Sequence, residues 1–166
     1  MRSSILCLLA VVLCVASCGP SSGQIKTAKA AQYTAPARSL LDVALQVAQR
    51  TYKIGLIDLE KLTFATEPQW YSREGGRISP NNEGGGDFVN ARGGDVQVTL
   101  VVKVREVDGG RMLVVVNART FELVAGSPQP RELATDDPNL PPWVIGRIDA
   151  LAVEIHGEAK KLFPAS

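Results

Sequence analysis

The chain has 166 residues, with 18 lysines and arginines against 17 aspartates and glutamates, so its formal net charge is +1. A chain of this length suits one domain with a short extension. The balanced charge excludes a basic stripe for nucleic acid and a polybasic patch for anionic lipid.

The first 18 residues are arranged like a secretory signal. Arg2 supplies a small positive region, an uncharged apolar run extends from Ile5 to Val15, and small residues follow at Ala16 and Ser17. The apolar run has eleven residues, well short of the roughly 20 that a helix needs to span a bilayer. The segment therefore predicts export with cleavage rather than a permanent membrane helix.

The tetrapeptide Val15-Ala16-Ser17-Cys18 at the end of this run resembles the lipobox of bacterial lipoproteins. The resemblance implies cleavage before Cys18, a diacylglycerol on its sulfur and an acyl chain on its amine. Two or more acyl chains hold a protein stably on a membrane. In this family an aspartate after the cysteine tends to retain the protein in the inner membrane, so Gly19 implies the outer membrane, with the domain facing the periplasm. The alternative is a secreted protein in which Cys18 is incidental.

Cysteine usage fits the lipoprotein interpretation. The three cysteines are Cys7, Cys14 and Cys18; the first two would be lost with the signal, and acylation would cap the third. Cleavage would remove 17 of the 166 residues and leave 149, with 17 basic and 17 acidic side chains. We therefore expect no disulfide and no reactive thiol in the mature chain.

Residues 18–38 are predicted to form the acylated cysteine and a flexible tether. The stretch 19–23 (GPSSG) is rich in flexible and helix-breaking residues, and the residues after it show no clear apolar face. The same stretch matches G-x-S-x-G, the nucleophile elbow of hydrolases. That motif needs a strand before it and a helix after it, so we interpret the match as accidental.

The folded part is predicted to be a single domain over residues 39–163. Ser39 and Asp42 have the spacing of a capping pair, which satisfies unpaired backbone donors at a helix start. Apolar residues then recur at helical spacing, which predicts an amphipathic helix. They are Leu41, Leu45, Ala48 and Tyr52.

Two short strands are predicted after this helix, over residues 53–58 and 62–67. Pro68 interrupts the second, so Trp70 and Tyr71 are expected at a sheet edge or in a loop. Residues 72–95 contain three clusters of glycines separated by polar residues. This pattern predicts a long, mobile loop.

The clearest pattern is a hairpin centred on residues 108–110 (Asp-Gly-Gly). Apolar residues alternate with polar ones on both sides, which predicts two antiparallel strands with one buried face. The predicted buried set is Val98, Leu100, Val102, Val104, Met112, Val114, Val116 and Ala118. Phe121 and Leu123 have the opposite parity, and a bulge near Thr120 would return them to the core.

The C-terminal residues predict a second helix after a proline-containing loop at 125–140. Pro141 and Pro142 suit a helix start, because the N–H that proline lacks would be unpaired there anyway. Pro164 ends the helix. One of its faces is apolar, with Ile148, Leu151, Ala152, Ile155, Ala159 and Leu162.

The predicted order is therefore helix, four strands, helix. We predict a monomeric two-layer α+β fold in which a four-stranded antiparallel sheet is covered on one face by an N-terminal and a C-terminal helix. The order of elements resembles the helix-grip-type domains of some small envelope lipoproteins, including those accessory to outer-membrane protein assembly. This resemblance lies in element order and implies no functional residues.

The sequence offers little for catalysis or metal binding. His156 is the only histidine, and neither Glu154 nor Glu158 shares its helical face. A zinc site needs three or four ligands. Asp136, Asp137 and Asn139 have the oxygen ligands of a calcium site, but they show no EF-hand spacing. Turn and helix-start chemistry is the favoured explanation for these residues. We expect no enzyme, no metal and no cofactor.

The candidate binding residues lie around the glycine-rich loop. Loops on rigid scaffolds often carry binding function, and aromatic residues with polar handles suit interfaces. The predicted partner-binding residues are Trp70, Tyr71, Arg73, Arg77, Phe88 and Arg92. Trp143 is a further aromatic candidate, and packing at the edge of the core is the alternative role for all three aromatic residues Trp70, Tyr71 and Trp143.

Three classes of function remain open from the sequence. The first is a non-catalytic membrane-anchored envelope lipoprotein that binds a protein partner. The second is a carrier or sensor of a small apolar ligand held between sheet and helices, which predicts a cavity lined by Phe64, Leu100, Val114 and Ile155. The third is an enzyme acting through carboxylates and tyrosine or lysine. No nucleic-acid partner is expected.

Overall fold

The computed structural model describes residues 19–78 and 91–165. Within these ranges the helices are α1 Ser22–Ala30, α2 Ala37–Gln49 and α3 Pro142–Leu162. The strands are β1 Gln32–Tyr33, β2 Ile54–Asp58, β3 Thr63–Thr66, β4 Gln69–Tyr71, β5 Val96–Val107, β6 Arg111–Glu122 and β7 Arg131–Leu133. The predicted lipobox with Cys18, and residues 79–90 with Phe88, lie outside the described residues. None of the described helices is long and apolar enough to cross a membrane.

The strands form one antiparallel sheet in the order β1-β6-β5-β3-β2, with β4 pairing to β5 and β7 to β6. The predicted α+β class and antiparallel sheet are confirmed. The predicted number of four strands is wrong, because seven are present in the described residues. The three missed strands, β1, β4 and β7, are two or three residues long, too short to show an alternating pattern.

The predicted hairpin is confirmed as the pair β5 and β6. The two strands pair along twelve residues each, with Leu100 opposite Ala118 and Val102 opposite Val116. A short 3-10 turn joins them at residues 108–110. Gly109 and Gly110 have φ of 77° and 72°, a region that glycine adopts without the steric cost of a side chain.

The predicted bulge near Thr120 is wrong, because the register continues without interruption to Glu122, which is opposite Val96. Glu122 therefore lies on the core side and is 9% exposed. Its carboxylate is 2.7 Å from Arg131 Nη2 and 3.6 Å from an Arg73 nitrogen, which offsets the cost of burying its charge. Phe121 stays on the opposite side of the strand.

The predicted flexible tether is wrong for residues 22–38, because α1 and β1 form there. Ser21 and Gln24 make a capping box, in which the Gln24 N–H donates to Ser21 Oγ and the Ser21 N–H donates to Gln24 Oε1. Ala28 is buried, and α1 packs mainly on α3. Tyr33 is 1% exposed, so β1 belongs to the core.

Helix α2 begins at Ala37, three residues earlier than the start that an N-cap at Ser39 implies. Its first turn follows Pro36, which makes no side-chain cap, so the predicted capping pair of Ser39 and Asp42 is wrong. Asp42 instead pairs with Arg38 at 3.2 Å, one helical turn away. The buried stripe of α2 is Leu40, Leu41, Ala44, Val47 and Ala48.

The core is one cluster of apolar side chains, mainly from β5, α2 and α3, with Tyr33, Phe64 and Tyr71 from shorter strands. Every second residue of β5 from Val96 to Val104 is buried. Helix α3 begins at Pro142 as predicted and contributes Val144, Ile148, Leu151 and Ile155. Helices α2 and α3 contact each other, and both contact β6.

Replacing Tyr33 by alanine tests whether β1 is part of the folded core. We expect the free energy of unfolding to fall by about 3 kcal/mol, because the substitution truncates a large buried side chain. Urea unfolding followed by circular dichroism measures the change. Leu56→Ala, at a position 63% exposed, is the control and should change stability by less than about 0.5 kcal/mol. A flexible segment at residues 18–38 would make both substitutions neutral.

Candidate functional site

The predicted binding residues around β4 are held against the start of α3. Tyr71 is 5% exposed, and its ring centroid lies 5.1 Å from that of Trp143. Trp143 Nε1 donates to the Arg73 carbonyl at 2.9 Å. Two of the predicted aromatic residues, Tyr71 and Trp143, therefore anchor the β4 segment to the helix.

Arg147, which is not among the predicted binding residues, completes this cluster. Its guanidinium carbon is 4.3 Å from the Tyr71 ring centroid and 5.4 Å from that of Trp143, a cation–π arrangement. Its Nη2 donates to the Gly75 carbonyl at 3.3 Å. The spacing of Trp143 and Arg147, one helical turn apart, was the available signal.

The cluster forms one wall of a cavity of about 320 Å³, which we call the arginine–tyrosine pocket. It lies between the end of α2, the β2–β3 pair, β4 and α3. Its lining residues are Gln49, Arg50, Thr51, Tyr52, Lys53, Glu67, Gln69, Tyr71, Arg77 and Arg147. Burial raises the pKa of Tyr52 above its usual value, although hydrogen bonding and positive charge from Arg147 act in the opposite direction.

The structure divides four of the predicted binding residues between two cavities. Tyr71 and Arg77 share the arginine–tyrosine pocket, but the Arg73 side chain turns to Glu122. Arg73 and Arg92 both line a second cavity, together with Gly93, Gly94 and Asp95. Trp70 is partly buried, and Phe88 lies outside the described residues. The predicted set is therefore divided among different surroundings.

His156 is engaged in a structural contact. Its Nδ1 lies 2.7 Å from the Tyr33 hydroxyl, and this contact joins β1 to α3. Burial raises the pKa of Tyr33 to about 12, so the phenol keeps its proton at neutral pH and can donate it to an unprotonated Nδ1. His156 therefore has a structural role between β1 and α3.

The acidic cluster before α3 forms a turn. The Asn139 N–H donates to Asp137 Oδ1 at 2.8 Å, and this hydrogen bond lowers the pKa of Asp137. Within residues 19–78 and 91–165, no group of three or more histidines, cysteines and carboxylates is placed to hold a metal ion. Asp137 and Asn139 therefore have the geometry of an Asx-type turn.

The strand β6 has an open edge between β1 and β7. On the side of β6 away from β5, β1 pairs at Met112 and Leu113, and β7 pairs from Thr120 onward. No strand in the described part of the chain pairs with residues 114–119 on that side. At about 3.3 Å per residue, this gap is about 20 Å long.

The backbone of β6 directs hydrogen-bonding groups into this gap. The N–H of Leu100 donates to Thr66 Oγ1 at 3.0 Å, so it points away from β6. Residues opposite each other in an antiparallel pair either both face each other or both face away, so Ala118, opposite Leu100, points away from β5. The same holds for every second residue, which includes Val114 and Val116.

A groove of about 330 Å³ runs along this edge, and we call it the β6 groove. Helix α3 forms the side wall of the groove with Ile145, Ile148 and Ala152. Thr135, in the segment that follows β7, also lines the groove. Its other lining residues are Lys29, Arg105, Leu113, Val114, Val115, Val116 and Asn117. The charged residues in this lining are both cations.

The four residues predicted to line an apolar ligand cavity do not surround a common cavity. Phe64, Leu100 and Ile155 are each 1% exposed and belong to the single core cluster. Val114 lines the β6 groove instead. These positions give the hypothesis of a ligand between sheet and helices no support.

No protein-family model matches this chain, and no curated protein matches it either. Its function is therefore inferred from the N-terminal sequence pattern and from the geometry of the sheet edge.

The partly buried position of His156 predicts a loss of stability on mild acidification. Burial, and then the positive charge of Lys160, lower the pKa of His156 in the folded chain below its usual value of 6.5. The unfolded chain then binds the proton more readily, so stability is complete above pH 6.5 and falls as the pH drops below it.

Thermal melting between about pH 8 and pH 5 measures this effect. His156→Gln keeps an acceptor for the Tyr33 hydroxyl and removes the titration, so its melting temperature should fall less than that of the wild type over this range. Carboxylates titrate in both proteins, so their contribution to the change in melting temperature cancels in the comparison. Parallel curves for the two proteins would contradict the assignment.

Proposed function

We propose that this protein is a non-catalytic, lipid-anchored lipoprotein of the bacterial envelope that binds an extended segment of a protein partner at the β6 groove. The observation that carries the proposal is the open edge of β6 at residues 114–119, between two strands that pair with β6 on either side of it. The partner segment would add a strand to the sheet.

Strand addition at an exposed edge takes most of its affinity from main-chain hydrogen bonds, while alternate side chains supply specificity. Val114, Val116 and Ala118 each direct an N–H and a C=O into the gap, by the alternation described above. A segment of about six residues would fill it.

The flanking strands favour a single extended segment over a second sheet. β1 and β7 each extend one strand width, about 4.8 Å, beyond the edge of β6. The β6 edge of a second copy of this chain would carry its own β1 and β7 and would collide with them. An isolated segment from a loop or a terminus has no such obstruction.

The groove lining indicates the chemistry of that segment. We infer that α2 and α3 cover one face of the sheet, because buried and more exposed residues alternate along β5. Alternate side chains of the added strand would then pack on Ile145 and Ile148 of α3 and should be apolar. Lys29, already paired with Asp149, and Arg105 bring positive charge to the groove, so the other side chains should include carboxylates.

The proposal of a lipid anchor rests on the lipobox-like sequence at Cys18. The position of α1 then limits the distance between the anchor and the folded domain. Ser22, the first residue of α1, follows Cys18 by four residues. Such a segment spans at most about 14 Å when fully extended. An acylated Cys18 would therefore hold the domain close to the membrane surface. The proposed location is the outer membrane, with the domain facing the periplasm.

Mass spectrometry of the membrane-extracted protein, produced in a Gram-negative host, tests the anchor. We expect an N-terminus at Cys18 that carries diacylglycerol and an amide-linked acyl chain. Cys18→Ala should abolish the modification and release the chain from the membrane fraction. An N-terminus at Met1, or an unmodified Cys18 in the membrane fraction, would overturn this part of the proposal.

A proline at position 118 tests the docking site. Ala118→Pro removes an N–H that points into the gap and leaves the hydrogen bonds to β5 in place. We expect it to weaken binding of a synthetic peptide of alternating glutamate and valine by at least about tenfold, equivalent to about 1.4 kcal/mol. Titration calorimetry of the detergent-solubilised chain measures the affinity. Ala118→Gly retains the N–H and is the matched control.

Two further comparisons sharpen this test. Thr135→Trp obstructs the β6 groove from an exposed position and should also weaken binding, which keeps the test valid if the proline variant unfolds. A peptide of alternating lysine and valine should bind more weakly than the acidic one, because of the cations in the groove. Equal affinity of the wild type, Ala118→Pro and Thr135→Trp proteins for the acidic peptide would reject this edge as the docking site.

A further inference from the structure

We propose that the arginine–tyrosine pocket is a binding site for an oxyanion, namely the carboxylate or phosphate group of a small ligand. This inference is independent of strand addition, since none of the residues that line this pocket lines the β6 groove. It rests on the charge, the orientation and the size of the pocket.

The pocket has more positive charge than its own carboxylates can neutralise. Four cations line it, with Glu67 as the one acidic residue in the lining. Arg50 is paired with Glu158 outside the pocket at 3.2 Å. The three others, Lys53, Arg77 and Arg147, form no ion pair with any residue in the described ranges 19–78 and 91–165. These three cations and the carboxylate of Glu67 together give the pocket a formal net charge of +2.

Arg147 is held in position for an anion. Its side chain is partly buried, where a charge without a counter-ion is costly. The Tyr71 ring on one side and the Gly75 carbonyl on another restrain the guanidinium. A guanidinium presents parallel N–H donors that match the oxygens of a carboxylate or phosphate, and a fixed one loses little conformational entropy on binding.

A second guanidinium is oriented by a hydrogen-bonded glutamine. Arg77 Nε donates to Gln69 Oε1 at 2.9 Å, which leaves the two terminal nitrogens of Arg77 for a ligand. Gln69 is itself fixed, because its Nε2 donates to the Ile78 carbonyl at 2.9 Å and to the Trp70 carbonyl at 3.0 Å. This chain of contacts holds Arg77 at the pocket.

The remaining lining suits a small polar ligand. The volume of about 320 Å³ is at the lower end of the range for small-molecule sites. Tyr52, Thr51 and Gln49 add neutral hydrogen-bonding side chains. Because burial raises the pKa of Tyr52, its hydroxyl stays protonated at neutral pH and can donate to an oxyanion.

Titration calorimetry of the full-length protein in neutral detergent tests the site, with inorganic phosphate and acetate as probes and chloride at matched ionic strength as the reference. We expect saturable binding of at least one probe. Arg77→Gln and Lys53→Gln should each weaken it by about tenfold, equivalent to about 1.4 kcal/mol. Both positions are exposed, so the fold should be retained.

Lys103→Gln is the matched control, because it removes an exposed cation from β5 outside the pocket and should leave binding unchanged. Ala118→Pro should also bind the probe normally, which separates this site from the β6 groove. Competition by soluble dihexanoyl-phosphatidylglycerol would identify a lipid headgroup as the source of the oxyanion. A lack of competition by this lipid would identify a soluble ligand instead. No saturable binding of either probe, or an unchanged affinity in Arg77→Gln, would overturn the inference.

Discussion

The pairing of β5 with β6 along twelve residues is the interaction on which the rest of the structure depends. Its alternation places one set of side chains, such as Leu100 and Val102, in the core with α2 and α3. The same residues direct their backbone groups sideways, away from the partner strand. The outer sides of the hairpin are therefore where β3 and β4 pair with β5, and where β1 and β7 pair with β6.

An open sheet edge is a risk as well as an opportunity, because unpaired backbone groups attract other strands without discrimination. Here β1 and β7 reduce the open part of β6 to residues 114–119, and α3 forms a wall beside it. At this edge of β6, the flanking strands would obstruct pairing between two copies and would leave room for one short segment. Such control suits a protein that we propose to bind a partner close to a membrane.

The predicted binding residues show why a site is harder to read from sequence than a fold. Tyr71 and Arg77 do share one pocket, because the chain reverses after β4 and pairs the two residues. Arg73 was expected beside them, but the buried carboxylate of Glu122, about 50 positions along the chain, attracts its side chain. Arg147 was overlooked because its partners come from a distant strand. Electrostatic neutralisation and contacts to aromatic rings join residues that are too far apart in the sequence for a local pattern to show.

The sequence by itself determined the β5–β6 hairpin, its turn and helix α3, because long runs with a period of two or 3.6 residues record which face is buried. It also contains the lipobox-like pattern at Cys18, which needs no tertiary structure to be read. The tertiary structure decided the rest. α1 has a capping box at Ser21 but a weak apolar face, and it packs mainly on α3. The strands β1, β4 and β7 are too short for any pattern and exist because the edges of the hairpin offer them hydrogen bonds. The open edge of β6 is what remains between two of them, so only the assembled sheet could reveal it.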